Sequence, residues 1–288
     1  MLIDLAQHVV DGIIDGALIA VAAIGLSLVF SVQRFANVSQ AGIMSTGAYF
    51  ALIGTSLSLD FWLALIFATV LGAGFGVLVF ALAFSSLRNA TKVTLLVASI
   101  GVDLIIRYGL GAIWGRDLRG YPVENLGSFT AMNLQFSRAG ILMVLIALAV
   151  MLVIWSIVRY TRIGREMRAV SDLPELARLA GISARRVYLW VWALVGASGA
   201  VAGVCIAWRS SLYPDLGWEA LLVAFAAAIL GGIGDIRGAA IGGFLMGIAT
   251  SVATVFVEPT FKPAFGFIVM ALILLVRPQG LFGKAQRV

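Results

Sequence analysis

Apolar runs of about 20 residues recur along the chain, separated by short polar breaks, and that pattern admits few folds. A helix of that length crosses the ~30 Å hydrocarbon core of a bilayer, so each run is a candidate spanning helix. No segment alternates polar and apolar residues as barrel strands do, which leaves helices. Of the 288 residues 61% are hydrophobic and 12% charged, where a soluble domain has roughly 45–50% and 25%. The sequence therefore reads as an all-α polytopic membrane protein, a single transmembrane domain over residues 1–288.

The longest polar island, residues 159–187, sets the expected orientation. It carries Arg159, Arg162, Arg165, Arg168, Arg178, Arg185 and Arg186 against Glu166, Asp172 and Glu175, which puts it in the cytoplasm by the positive-inside rule. Met1 to Gly12 holds Asp4, His8 and Asp11 but no lysine or arginine, so the N-terminus is expected outside. Spans then follow at Ile13–Ser31, Ala41–Ser58, Phe61–Phe84, Val93–Ile113, Ala139–Val158, Tyr188–Trp208, Ala239–Val257 and Ala264–Val276. Arg88 and Lys92 fall inside, as does the tail with Arg277, Lys284 and Arg287. Trp114–Arg138 and Arg209–Glu219 become outer loops, and Glu258–Pro263 an outer turn.

Leu221–Leu230 is short for a span and ends in GGIGDIRG, where Gly231, Gly232 and Gly234 mark a broken helix or gate. About 8–10 transmembrane helices are expected, and the short segment must cross for an outside N-terminus and a cytoplasmic C-terminus to be compatible. The net charge of +6 reports this orientation, not nucleic-acid binding. The lone Cys205 reads as a small buried hydrophobe, and the absence of a basic n-region argues against a cleaved signal peptide.

Inside the island, Asp172 is placed to cap a short helix with Pro174 in its first turn and Gly181 past its end. Leu173, Leu176, Ala177 and Ala180 share one face of it, which fits either an amphipathic helix on the membrane surface or a docking surface for a cytoplasmic partner. Asp103 and Arg107 are the charges deepest in the membrane, and their i, i+4 spacing puts them on one face. They fit a structural ion pair between packed helices or a pathway role. Asn37, Ser39, Gln40, Ser45 and Thr46 cluster at the start of the second span, as path-lining groups or as helix caps and interhelical hydrogen bonds. Glycines at 72, 74, 76, 199 and 203 permit close helix approach.

One histidine and one cysteine supply no His/Cys metal cluster, no serine sits in a nucleophile motif, and no phosphate-binding loop is present. The chain is expected to catalyse nothing and to bind no metal or nucleotide itself. If ATP drives it, another subunit binds the ATP.

Four stretches, AAIGLSLVFSVQRFANVSQAGIMSTGAYFA, IGREMRAVSDLPELARLAGI, AAAILGGIGDIRGAAIGGFLMG and the terminal RPQGLFG, resemble in order the signatures of the permease subunits of branched-chain amino acid ABC importers. The nearest match is to the first of their two paired permeases. The resemblance implies the ABC importer permease fold in a bacterial inner membrane. It further implies a second homologous permease, two ATPase subunits carrying ATP-Mg, and a soluble binding protein that delivers a small polar solute from outside. Gly164, Arg168, Asp172, Glu175, Leu176, Ala177 and Gly181 then belong to an ATPase-coupling loop. Gln40, Ala41 and Gly42 depart from the His-Gly-Glu that many members carry there, and the family also moves urea, short amides and organic acids. A stand-alone secondary transporter or channel using Asp103 and Arg107 is the alternative from another class.

Overall fold

The computed structural model describes residues 2–87, 90–123, 126–131, 134–256, 262–276 and 280–282. In order it contains α1 (Leu2–Gln33), α2 (Gln40–Ser56), α3 (Phe61–Val79), a π-helical turn (Phe80–Phe84), α4 (Lys92–Trp114), β1 (Ser128–Ala131), β2 (Leu134–Ser137), α5 (Arg138–Tyr160), α6 (Arg162–Asp172), α7 (Pro174–Leu179), α8 (Ala184–Arg209), α9 (Leu216–Gly231), α10 (Ile236–Ala253) and α11 (Lys262–Val276). Arg88, Arg277, Lys284, Arg287 and residues 258–261 of the expected turn lie outside the described residues.

Among the described residues, six helices are long and apolar enough to cross a membrane: α1, α3 with its π turn, α4, α5, α8 and α10. Four differences from the sequence reading have physical reasons. The first helix starts at Leu2, not Ile13. Its 32 residues reach about 48 Å, longer than the ~30 Å hydrocarbon core, and near its start Gln7 exchanges hydrogen bonds of 3.0 and 2.9 Å with the Gln135 backbone. The expected loop Trp114–Arg138 contains a small antiparallel hairpin, β1 with β2, pairing Phe129 with Phe136. The short segment after Arg209 begins at Leu216 and runs 16 residues as α9, because Gly217 lets the backbone lie against Ala41. Asp172 ends α6 and does not cap the next helix, whose N-cap position is held by Leu173.

α1, α2 and α8 form the centre. α2 is buried on every side, including Gln40, Ser45 and Thr46. Lipid tails are as apolar as leucine, so spans associate through close backbone packing, not hydrophobic burial. Gly47 of α2 meets Ala200 of α8, Gly203 of α8 meets the Met44 carbonyl, and Gly76 of α3 meets the Trp192 carbonyl, each with no room for a Cβ. Gly243 and Gly247 of α10 pack in the same way on Ala20 and Gly16 of α1. Gly74 faces open space and plays no part in this packing. α4 and α5 sit at the rim, with Val93, Val97, Ile105, Leu145 and Leu152 exposed.

Candidate functional site

The polar island folds into α6 and α7 at one end of the bundle. Thr161 caps α6, accepting from the Gly164 N–H at 3.3 Å, and Gly164 lies so close to the Val158 carbonyl that a Cβ there would overlap it. Arg168 donates to the same carbonyl at 2.6 Å, filling an acceptor that the end of α5 leaves open. Met167 and Val170 are buried, and Ser171 donates to the Ser31 carbonyl at 2.5 Å, so α6 is fixed to the end of α1.

α7 is attached differently. Pro174 opens it, and it closes in a Schellman arrangement in which the Gly181 N–H reaches the Arg178 carbonyl at 3.0 Å and the Ile182 N–H reaches Ala177 at 2.9 Å. That closure requires the left-handed backbone of Gly181, at φ 77°. Of the apolar residues assigned to one face, Leu173, Leu176, Ala177 and Ala180, only Ala177 is buried; Leu173 and Leu176 are 58% and 57% exposed, Ala180 is exposed too, and Leu179, outside that set, is 84% exposed. With exposed Glu175 and Arg178, α7 presents an apolar edge rimmed by charge.

Deeper in the bundle, the chain between α1 and α2 is irregular yet enclosed. Phe35, Asn37, Val38 and Ser39 are all buried, the Val38 N–H donates to Ser99 at 3.1 Å, and Ser39 donates to Asn37 Oδ1 at 2.6 Å. Such backbone survives at membrane depth only where protein covers it. Ser45 and Thr46 are spent on the backbone: Ser45 donates to the Pro214 carbonyl at 2.9 Å and accepts from Gly217 at 3.0 Å, and Thr46 donates to Gly42 at 2.8 Å.

Gln40 stands apart. It is fully buried, and both its amide nitrogen and its amide oxygen lack a hydrogen-bond partner among the described residues. Gly25 of α1 and Gly199 of α8 make its room, since a Cβ on either would come within 2.6 or 2.9 Å of its nitrogen. An enclosed amide without partners is costly, and Asn37 Nδ2 in the link ahead of it is likewise without one among the described residues.

Arg107 completes a second buried feature. It lies 3.3 Å from Asp103 on its own helix and 3.3 Å from Asp215 at the start of α9, with its guanidinium 4.7 Å from the centre of the Trp218 ring. Asp215 was not visible as a partner in the sequence; its only signal is an acid in the run Tyr-Pro-Asp-Leu-Gly-Trp ahead of an apolar helix. The expected gate glycines form a compact turn between α9 and α10. Gly231 touches Gly238, while Gly232 and Gly234 take φ 105° and 90°. Asp235 caps α10, accepting from Arg237 at 2.8 Å and Gly238 at 3.3 Å, and the Leu281 and Phe282 N–H groups bond the carbonyls of Leu230 and Gly231. These glycines and the polar cluster near Gln40 occupy separate places in the fold.

Residues 8–277 match the model of the family described as branched-chain amino acid transport system, permease component. The chain is 27% identical to the high-affinity branched-chain amino acid transport system permease protein LivH of Salmonella typhimurium, over 97% of this chain and 96% of that one. It is 31% identical to the probable branched-chain amino acid transport permease protein LivH of Methanocaldococcus jannaschii, over 98% and 95%. It is 26% identical to the permease protein BraD of Pseudomonas aeruginosa, over 97% and 96%.

Proposed function

The chain belongs to the branched-chain amino acid transport permease family, a multi-pass permease subunit of an ABC importer, and from that premise we propose that it forms half of a translocation path for branched-chain or related amino acids. A second homologous permease supplies the other half. Two ATPase subunits, which hold ATP-Mg, dock on the polar island from the cytoplasm, and a soluble binding protein delivers the solute at the opposite face. This chain itself binds no nucleotide.

The carrying observation is α7. An exposed apolar edge of Leu173, Leu176 and Leu179 between charged residues, on a helix joined to α6 and so to α1, suits a partner that moves and transmits its motion to the spans. The arginines of the island support a cytoplasmic position for that end and an outside N-terminus. Gln40 at the start of α2 and Asn37 in the link ahead of it then line the path, while Arg107, Asp103 and Asp215 hold α4 beside it.

The test is affinity purification of the tagged protein from its native membrane, with co-purifying subunits identified, repeated with Leu176→Asp and Leu179→Asp. Both side chains are exposed, so the variants fold. Recovery of a second permease and ATPases with the native protein, and loss of the ATPases with the variants, supports the assignment. A protein that comes away alone and still moves solute without ATP is a secondary transporter. The cargo of the co-purifying binding protein decides between amino acids and urea, amides or organic acids.

A further inference from the structure

A cleft of about 290 Å³ opens beside the polar island, between the end of α1, the π turn, the start of α4, the α6–α7 junction and α8. Its size lies near the lower bound of small-molecule pockets, roughly 300 Å³. Its floor is aromatic and rigid: Phe80 and Phe84 are each 2% exposed, Phe35 stacks on Phe84 at 5.6 Å, and Trp192 lies against both at 6.0 and 4.7 Å. Arg34, Lys92 and Asp172 line it too, and none of the three has an ion-pair partner among the described residues.

Arg34 is held in an uncommon way. Its backbone takes φ 55°, a left-handed conformation that non-glycine residues avoid, and its guanidinium donates to the Ser171 carbonyl at 2.9 Å. That bond uses one of its five N–H donors and leaves others for a ligand. We propose that this cleft binds a zwitterionic apolar amino acid: Arg34 and Lys92 take its carboxylate, Asp172 its ammonium, and Leu87 and Leu95, beside the floor of Phe80 and Phe84, its aliphatic side chain. An anionic lipid headgroup would also be drawn by the two cations, but Asp172 opposes it, which favours a ligand carrying both charges.

The consequence follows from position. Ser171, Asp172 and Pro174 form one wall, so an occupant bridges the transmembrane bundle and the segment that carries α7. Given the importer assignment, on which this inference rests, the occupant is the imported amino acid accumulating in the cytoplasm, and its binding holds α7 against the bundle and slows transport.

The experiment uses the complete importer, both permeases and both ATPases, in lipid nanodiscs without binding protein, titrated with leucine, leucinol and 4-methylpentanoate. Saturable leucine binding is expected, weakened at least tenfold when the ligand lacks its carboxylate or its ammonium, and weakened as much by Lys92→Gln. In proteoliposomes driven by loaded binding protein, leucine on the ATP side should slow native uptake at least threefold and slow the Lys92→Gln uptake far less. Uptake by the native importer with no leucine binding in the nanodiscs overturns the cleft and leaves the importer reading standing. Binding that ignores Lys92→Gln, or leucine displaced by phosphatidylglycerol, also overturns the cleft. Absence of leucine uptake by the native importer overturns both.

Discussion

Arg107 and Asp215, 108 residues apart in the sequence, meet at 3.3 Å and join the outward-facing α4 to the start of α9. α4 makes few other contacts: beyond this pair it leans on α2 and the π turn, and most of its apolar side chains face away from the rest of the chain. The two charges on α4 and the one on the connector thus hold a peripheral helix to the core.

Removing Arg107 leaves Asp103, 1% exposed, without its cation. Breaking a buried pair from one side costs about 3–5 kcal/mol. Arg107→Gln should therefore lower the unfolding temperature of the purified protein markedly, and Asp103→Asn combined with Arg107→Gln should recover much of it. Asp215, 40% exposed, should matter less as Asp215→Asn. Equal melting of native protein and Arg107→Gln in scanning fluorimetry would show that the cluster does not hold α4.

The glycines of α3 separate cleanly by position. A Cβ at Gly76 would overlap the Trp192 carbonyl, whereas nothing lies within 4 Å of one at Gly74. Gly76→Ala should sharply reduce the yield of monodisperse protein on size-exclusion chromatography. Gly74→Ala should be neutral or stabilising, by up to ~1 kcal/mol, because alanine suits a helix interior better than glycine.

Gln40 is a test of binding against stability. Replacing an amide that has no partner with an apolar side chain of similar size removes a desolvation penalty of about 1–3 kcal/mol. Gln40→Leu should melt no lower than the native protein, and solute uptake by the reconstituted importer should fall at least several-fold. Unchanged uptake would take Gln40 out of the path.

The turn between α9 and α10 depends on left-handed backbone at Gly232 and Gly234. Alanine at either position should cost roughly 1–3 kcal/mol in stability, read from thermal unfolding. Gly231→Ala should do worse, since its Cβ would overlap the Gly238 carbonyl.

Segment length and charge by themselves determined an all-helical membrane bundle. Twenty-residue apolar runs admit helices only, so the borders of α4, α5 and of α3 taken with its π turn were legible to within a residue or two, and the arginines of 159–187 marked the polar segment that folds into α6 and α7. Tertiary structure decided what spacing cannot encode. Apolar periodicity ignores depth, so it could not show that Phe35, Asn37, Val38 and Ser39 are buried in the link between α1 and α2, or that α9 gains a turn by lying against Ala41. Periodicity grouped Leu173, Leu176 and Ala177 on one face, but only packing could bury Ala177 and leave the leucines exposed. Partners far apart in sequence, Arg107 with Asp215 and Gln40 between Gly25 and Gly199, come together only when the spans pack, because a helix fixes its own neighbours three and four residues away and no others.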